Sequence, residues 1–466
     1  MRAANGREAA LEAMRRQRRA GAYSADAVDA VIREAALEPR EAAFCTRIVR
    51  ETLQNLYFID HYLDLWCKTP TKRLEPAVLD ILRISAAQLL FMDRVPPSAA
   101  VNEGVKLCGK AGCSRASGLV NSVLRRVSEN RAALPEIPGA GTAEYLSTRY
   151  SHALWQVREL IELRGYEGAQ AVLRCNNAEP PLNLQANTLR TSAEELAERL
   201  GSAGFEPRSG RLEGELVLDG AGRADLLPGY AEGLFYIQDE AARRAVIASG
   251  AEPGMNVLDA CAAPGGKSAL IAETMADVGR VYAWDVHEHR VELIRAAKER
   301  LKLDSLRPAV RDARKPYADF DLYMDAVLVD APCSGEGMFR RDPQSREAWT
   351  DAAPRGCRKR QGEILEAAAK MVRPGGRLLY STCTFNGEEN EGSVADFLQA
   401  HTDFSPEEFS LPELGASRGG MLRIWPHRAR GDGQFAALLR RAGEDGGDGP
   451  ETWAGAADAA GRPHAR

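Results

Sequence analysis

The sequence predicts an α/β protein. Its larger part reads as a doubly wound parallel sheet, preceded by a small α/β module and an all-helical domain. Three observations carry this. From about residue 241, short apolar runs at 257–260, 280–284, 306–310, 326–329 and 376–380 alternate with helical stretches such as 288–301 and 361–372, the pattern of parallel strands joined by crossover helices. Residues 1–130 carry only the helical period. A chain of 466 residues is also too long for one core, so two or three domains are expected.

The helical domain is placed at 1–137. Ala43, Phe44, Ile48, Val49 and Leu53 recur at helical spacing, as do Val78, Leu79, Leu82, Ile84, Leu89 and Leu90. Pro96-Pro97 breaks the run, and helices are expected again at 101–107 and 118–129. The first helix carries Arg15, Arg16, Arg18 and Arg19, a compact cluster suited to phosphate. A linker is expected at 134–141, where Pro and Gly gather. The small module is placed at 142–240, with a strand at 180–187 and a helix start at 191–195, Glu194 lying three residues after Thr191. The sheet domain follows at 241–440. The Gly-, Ala- and acid-rich stretch 441–466 is expected to be a disordered tail.

Composition bounds the function. Hydrophobic residues make up 44% and charged residues 27%, as in soluble globular proteins. No apolar run approaches a membrane span, and the first residues lack an apolar signal core, so no membrane role and a cytoplasmic place are expected. The nine cysteines form no Cys-x-x-Cys pair, which fits a reducing compartment, and the seven histidines show no ligand spacing, so no metal is expected. Net charge is −5, but residues 1–137 hold 21 Lys+Arg against 16 Asp+Glu, a balance of +5 that leaves −10 for the rest. A basic module on an acidic body can bind nucleic acid locally; a solvated helix face explains the imbalance as well.

Val257-Leu258-Asp259-Ala260-Cys261-Ala262-Ala263-Pro264-Gly265-Gly266-Lys267-Ser268 reads as strand, glycine turn and helix start. Glycines let a ligand approach the backbone, and a helix start offers free N–H groups. The spacing is neither the dinucleotide fingerprint nor a P-loop. About 20 residues on, the second strand ends at Asp285, where a ribose-binding acid is expected. Asp312 follows the third strand and is placed to meet an adenine edge. Alternatively, each of the two caps a helix.

Two further strands end in cysteine motifs: Asp330-Ala331-Pro332-Cys333-Ser334-Gly335 and Ser381-Thr382-Cys383-Thr384. Together with Ala262-Ala263-Pro264-Gly265-Gly266-Lys267 they resemble, in order, the signature motifs of the Nol/Nop/Sun family of S-adenosyl-L-methionine-dependent RNA cytosine C5-methyltransferases. The similarity covers about 170–440. Residues 1–130 resemble the NusB-like RNA-binding domain, through Asn102-Glu103-Gly104-Val105 and 120–126, although Glu51 stands where that pattern has glycine. The resemblance implies a Rossmann-like class I methyltransferase domain acting on a cytosine of 16S rRNA, free or in a small-subunit assembly intermediate, with no dimer required.

It also implies residue roles. Cys383 is the nucleophile on cytosine C6, a thiolate being the accessible strong nucleophile near neutral pH. Cys333 assists release of the covalent product. Asp330 meets the cytosine N3 or N4 edge, and Lys267 orients the catalytic groups. Cys261, Ala262, Ala263, Pro264, Gly265, Gly266, Lys267, Asp285, Asp312 and Asp330 line the cofactor, the Cys261 thiol itself reading as structural. Arg340, Arg341, Arg358, Lys359 and Arg360, with Arg346 and Arg355, form a basic segment for RNA. Phe339 and Trp349 interleave there, either to stack on unpaired bases or, for Trp349, to pack in the core. The target base must be flipped or single-stranded. Segments 335–343, 423–427 and 431–433 look closer to a sister branch that methylates another 16S cytosine and ordinarily lacks the NusB-like domain. The open alternatives are tRNA or 23S rRNA as substrate, a DNA cytosine methyltransferase with its nucleophile in the Pro-Cys motif, and a non-catalytic antitermination or ribosome-assembly factor.

Overall fold

A computed structural model describes residues 3–20, 24–220, 222–343, 345–348, 353–429 and 431–443. The described chain divides into two compact units, one from 1–178 with 341–348, the other from 179–340 with the residues after 348.

The first unit is helical: α1 (Gly6–Ala20), α2 (Ser24–Ala35), α3 (Pro39–Gln54), α4 (Leu56–Trp66), α5 (Pro76–Phe91), α6 (Pro97–Lys110), α7 (Ser117–Asn130), α8 (Ala143–Tyr150) and α9 (Leu154–Asn176). Proline opens α3, α5 and α6, where its missing N–H costs nothing. Leu11, Ile48, Ile59, Leu63, Ile81, Ile84 and Leu124 are wholly buried in its core. The segment 131–142 holds no helix or strand, as expected of a linker. The compact helical unit runs past this segment. Helix α8 packs on α4 and α9 on α8, so the helical unit continues to Ala178.

The second unit opens with a four-stranded antiparallel sheet in the order β2-β3-β1-β4, from β1 (Leu182–Ala186), β2 (Arg208–Ser209), β3 (Glu215–Leu218) and β4 (Phe235–Ile237). Helix α10 (Ala193–Ser202) packs on it. Its capping box uses Ser192 and Glu195, one residue later than the sequence pattern placed it, because Ser192 is the residue with extended backbone before the first turn.

The large sheet is built from β5 (Asn256–Asp259), β6 (Arg280–Asp285), β7 (Leu306–Val310), β8 (Met324–Asp330), β9 (Val372–Thr382), β10 (Phe404–Pro406), β13 (Met421–Ile424) and β14 (Gln434–Arg441); a separate short hairpin joins β11 (Ser410–Leu411) to β12 (Gly415–Ala416). The order is β10-β14-β9-β8-β5-β6-β7, with β13 beside β14. Strands β5 to β9 pair in parallel, whereas β14 runs antiparallel to β9. Four consecutive buried residues, Ala326–Val329, show β8 covered on both faces. One face packs α11 (Glu240–Ile247), α12 (Gly266–Thr274) and α13 (Glu288–Leu301); the other packs α15 (Ala353–Met371) and α16 (Glu391–Ala400). Short helices α14 (Ser345–Ala348) and α17 (Pro426–Ala429) complete the list. The order reverses between β5 and β8, the switch point where such sheets bind ligands. Of the expected tail, 441–443 are described and Arg441 ends β14; 444–466 lie outside the described residues.

Candidate active site

The site lies at the carboxyl ends of the parallel strands. On one side, β5 ends at Asp259 and the chain turns through Cys261–Lys267 into α12. Gly265 sits at φ 109°, a left-handed conformation that favours glycine. A Cβ on Gly266 would lie 2.4 Å from Gln238 Oε1, so this glycine admits the Gln238 side chain. Asp259 is wholly buried and accepts from Ser268 Oγ at 2.6 Å; burial pushes its carboxyl up to about 7. Asp259 Oδ1 and Gln238 Nε2 are buried with no hydrogen-bond partner among the described residues. Asp285, 4% exposed, accepts from His287 N–H at 3.0 Å and pairs with Arg290 at 3.0 Å; Arg290 also donates to Ala263 O at 3.0 Å. The hydrogen bond from Arg314 holds the Asp312 carboxyl below its usual range. Both aspartates therefore make a local turn bond to a backbone N–H two residues on. Val286 and Val310, beside the ends of β6 and β7, remain substantially exposed.

On the other side, the β8–β9 register sets Asp330 opposite Ser381, so the two cysteine loops start level with each other. Cys333 Sγ lies 3.2 Å from Cys383 Sγ. The hydrogen bond to Cys383, then burial, push the Cys333 thiol well above its ordinary pKa. Lys267 Nζ is 2.8 Å from Asp330 Oδ2. Burial opposes the Lys267 charge, but the Asp330 carboxylate outweighs it and raises the ammonium pKa. The structure thus brings together Cys383, Cys333, Asp330 and Lys267, with the glycine turn one strand away.

Several residues that the sequence reading did not single out hold this group. Gln434 Nε2 donates to Asp330 Oδ1 at 3.2 Å and to Ser381 Oγ at 2.6 Å. Gly337 N–H donates to Cys383 O at 2.8 Å, and Gly433 N–H to Gly337 O at 3.0 Å. A Cβ on Gly337 would lie 2.3 Å from Gly433 O and 2.8 Å from Cys383 O. Glu389, wholly buried, accepts from Ser334 N–H at 3.1 Å and Gln361 Nε2 at 2.8 Å. The only sequence signal for Glu389 is an acid six residues after Cys383 in a loop that starts at a strand end.

The basic candidates are placed differently. Arg16 pairs with Glu12 and Glu34, Arg15 with Glu12 and Arg18 with Asp80; the Arg19 side chain lies outside the described residues. Arg340 is buried and donates to Glu179 O at 2.7 Å. Arg346 is also buried, within the helical unit, donating to Asn177 Oδ1 at 2.8 Å and Asn176 O at 2.9 Å. Phe339 is 3% exposed, so its ring packs inside and is not offered to bases. Arg341 is half-buried and Arg358 pairs with Asp396 at 2.6 Å. Arg355, Lys359 and Arg360 of α15 are exposed. Trp349 lies outside the described residues.

The family model for 16S rRNA methyltransferase RsmB/F matches residues 247–440, the NusB family model matches 4–129, and the RsmF/B-like ferredoxin-like domain matches 152–223. The "Probable ribosomal RNA small subunit methyltransferase B" of Bacillus subtilis is 34% identical over 444 residues, covering 94% of this chain and 99% of its own. The chain belongs to the RsmB/F family of rRNA methyltransferases. A Synechocystis relative, also called probable ribosomal RNA small subunit methyltransferase B, is 32% identical over 450 residues, covering 94% of this chain and 100% of its own. The crystal structure of PH0851 superposes with a TM-score of 0.76 at 27% identity, covering 94% of this chain and 98% of that one. The fold expected from the sequence thus stands: a NusB-like helical domain, a small ferredoxin-like α/β module and a Rossmann-like methyltransferase domain. Membership of RsmB/F makes this an RNA methyltransferase of the small ribosomal subunit. Among the described residues, no helix is long and apolar enough to cross a membrane, and no group of three His, Cys, Asp or Glu is placed to hold a metal.

Proposed function

We propose that this chain methylates carbon 5 of one cytosine in 16S rRNA, with Cys383 as covalent nucleophile and S-adenosyl-L-methionine as methyl donor. The observation that carries the reading is the pair of thiols 3.2 Å apart, beside an Asp330 already paired with Lys267.

The rim suits the cofactor. The buried, unpartnered Gln238 Nε2 lies by the glycine turn, whose left-handed Gly265 leads into the start of α12, where free N–H groups suit a polar ligand against the backbone. Gly265, Gly266 and the start of α12 would hold the methionine end, Asp285 the ribose hydroxyls, and Asp312 with Val286 and Val310 the adenine. When bound, the cofactor supplies a methyl group on a sulfonium.

The chain's own residues do the rest. The Cys383 thiolate adds to C6 of the flipped cytosine, forming a C–S bond and turning C5 into an enamine-like carbon. Asp330, held by Lys267 and Gln434, faces the N3 and N4 edge, where cytosine offers an amine and uracil a carbonyl. After C5 is methylated it loses its proton to a base, the electron pair re-forms the C5–C6 double bond, and the C6–S bond breaks to return the Cys383 thiolate. Cys333 is assigned to this release. Arg355, Lys359 and Arg360 supply exposed charge for phosphates.

The test incubates full-length protein with 16S rRNA and cofactor and looks for denaturation-resistant protein–RNA adducts. Cys333→Ala is expected to accumulate adduct, and Cys383→Ala to form none and to methylate less than about a thousandth as fast as wild type. An adduct from Cys383→Ala would sink the assignment. Bisulfite sequencing of RNA from cells with and without the gene identifies the cytosine, and protection lost in tRNA or 23S rRNA instead would replace the target.

A further inference from the structure

Two hydrogen-bonded thiols 3.2 Å apart pose a question of identity: something must make them unequal. The asymmetry lies behind Cys333. Gln361 Nε2, from α15, donates both to Pro332 O at 3.0 Å and to Glu389 Oε2 at 2.8 Å. Glu389 in turn accepts the backbone N–H of Ser334. The peptide on each side of Cys333 is thereby tied to one buried carboxylate. Tyr380 OH donates to Glu389 O at 2.6 Å, and Asn390 bridges Thr382 Oγ1 and Thr384 O, so the loop bearing Glu389 is itself secured to β9. The residues flanking Cys383 are held by that Asn390 bridge and its carbonyl by Gly337 N–H, whereas the Glu389 carboxylate itself takes the Cys333 side.

We propose that Glu389 is a positioning residue that assigns the two cysteines their separate jobs: with Gln361 it clamps the Pro332–Cys333–Ser334 peptide so that Cys333 stays beside Cys383 and keeps its proton, leaving Cys383 to act as nucleophile. This rests on the covalent reading above. The hydrogen bond to Cys383, burial and the Glu389 carboxylate behind it all raise the Cys333 pKa, outweighing a backbone hydrogen bond at Cys383 that lowers it. Cys357 is hydrogen-bonded to the same Glu389 carboxyl. Lys267 is engaged with Asp330. Burial pushes the Glu389 carboxyl up, but the donors from Ser334 and Gln361 favour its charged form.

The test needs no RNA. Full-length protein is alkylated with iodoacetamide from pH 6 to 10, and labelling of each cysteine is read by peptide mass spectrometry. In wild type, Cys383 is expected to label faster than Cys333 throughout. In Glu389→Gln, which keeps the size and removes the charge, the Cys333 to Cys383 labelling ratio at pH 8 should rise about fivefold or more, and the Cys333 profile should move to lower pH. Glu389→Asp should restore most of the wild-type profile, which a merely structural role would not require. Gln361→Met, which leaves the charge and loosens the clamp, should give an intermediate ratio. An unchanged ratio in Glu389→Gln, or in Gln361→Met should the first variant not fold, overturns the proposal. Normal alkylation asymmetry in a wild type that forms no RNA adduct would fault the covalent reading and spare the role of Glu389.

Discussion

The two sides of the site rim are built on different principles. The glycine-turn side is built from the ends of three adjacent strands, each with its own local device: the turn and helix start after β5, and Asp285 and Asp312 at the ends of β6 and β7, each bonded to a backbone N–H two residues away. The thiol side is assembled from distant segments. Asp330 leans on Gln434, 104 residues away, and Ser334 on Glu389, 55 residues away. Cys383 O is held by Gly337, which itself abuts Gly433. Lys267 joins the two sides, rooted in the cofactor turn and ending on Asp330. A ligand that needs backbone N–H groups is served by a local turn. A reaction that needs two thiols and a carboxylate within bonding reach requires parts that no short segment can bring together.

This difference predicts how each side fails. Gly337→Ala should do the most damage, because its Cβ meets the carbonyls of Gly433 and Cys383. A displaced Cys383 loop should lower kcat by about a hundredfold or more while cofactor affinity is kept. Isothermal titration with cofactor alongside single-turnover methylation checks both, and equal loss in both would break the comparison. Lys267→Met should come next, with kcat down by about a hundredfold as Asp330 loses its cation. As the joining residue it should also weaken cofactor binding, whereas Gly337→Ala should not.

Asp285→Ala tests the local side. The expected result is a rise of about tenfold in KM for the cofactor with kcat within about twofold, the signature of lost uniform binding. A dominant fall in kcat would mean the cofactor side is coupled to the chemistry after all. The smallest effect concerns stability. In the folded chain Asp259 titrates at about 7 and not at its ordinary 3.8. Between those values the folded protein binds a proton the unfolded chain has released, so this group makes stability fall as pH rises through that window. Asp259→Asn should flatten that fall, as read by denaturant unfolding at pH 5 and pH 8. An unaltered pH slope would show that Asp259 is charged in the native state.

The same difference explains what could be read in advance. The glycine turn, Asp285, the strand ends bearing Cys333 and Cys383, and the helix at 288–301 were all legible, because each is a contiguous pattern governed by local backbone preference or strand burial. The basic segment after Cys333 was not. Arg340 and Arg346 look like RNA ligands in sequence, yet their head groups are inside, bonded to Glu179 O and to Asn176 and Asn177. Phe339 likewise looked free to stack on a base and is packed. Charge and aromaticity are properties of a residue; whether they face solvent is a property of what folds over them.

By itself the sequence determined the order of elements, the glycine turn and the strand ends that carry the two cysteines, since periodicity and glycine conformation are written locally. Only the tertiary structure decided that the two thiols meet at 3.2 Å, that Glu389 and Gln361 stand behind one of them, and that the helical unit runs to Ala178. The reason is physical. Those features depend on strand register and on side chains that meet across tens to hundreds of residues, and such contacts form only when the sheet and its flanking helices have packed.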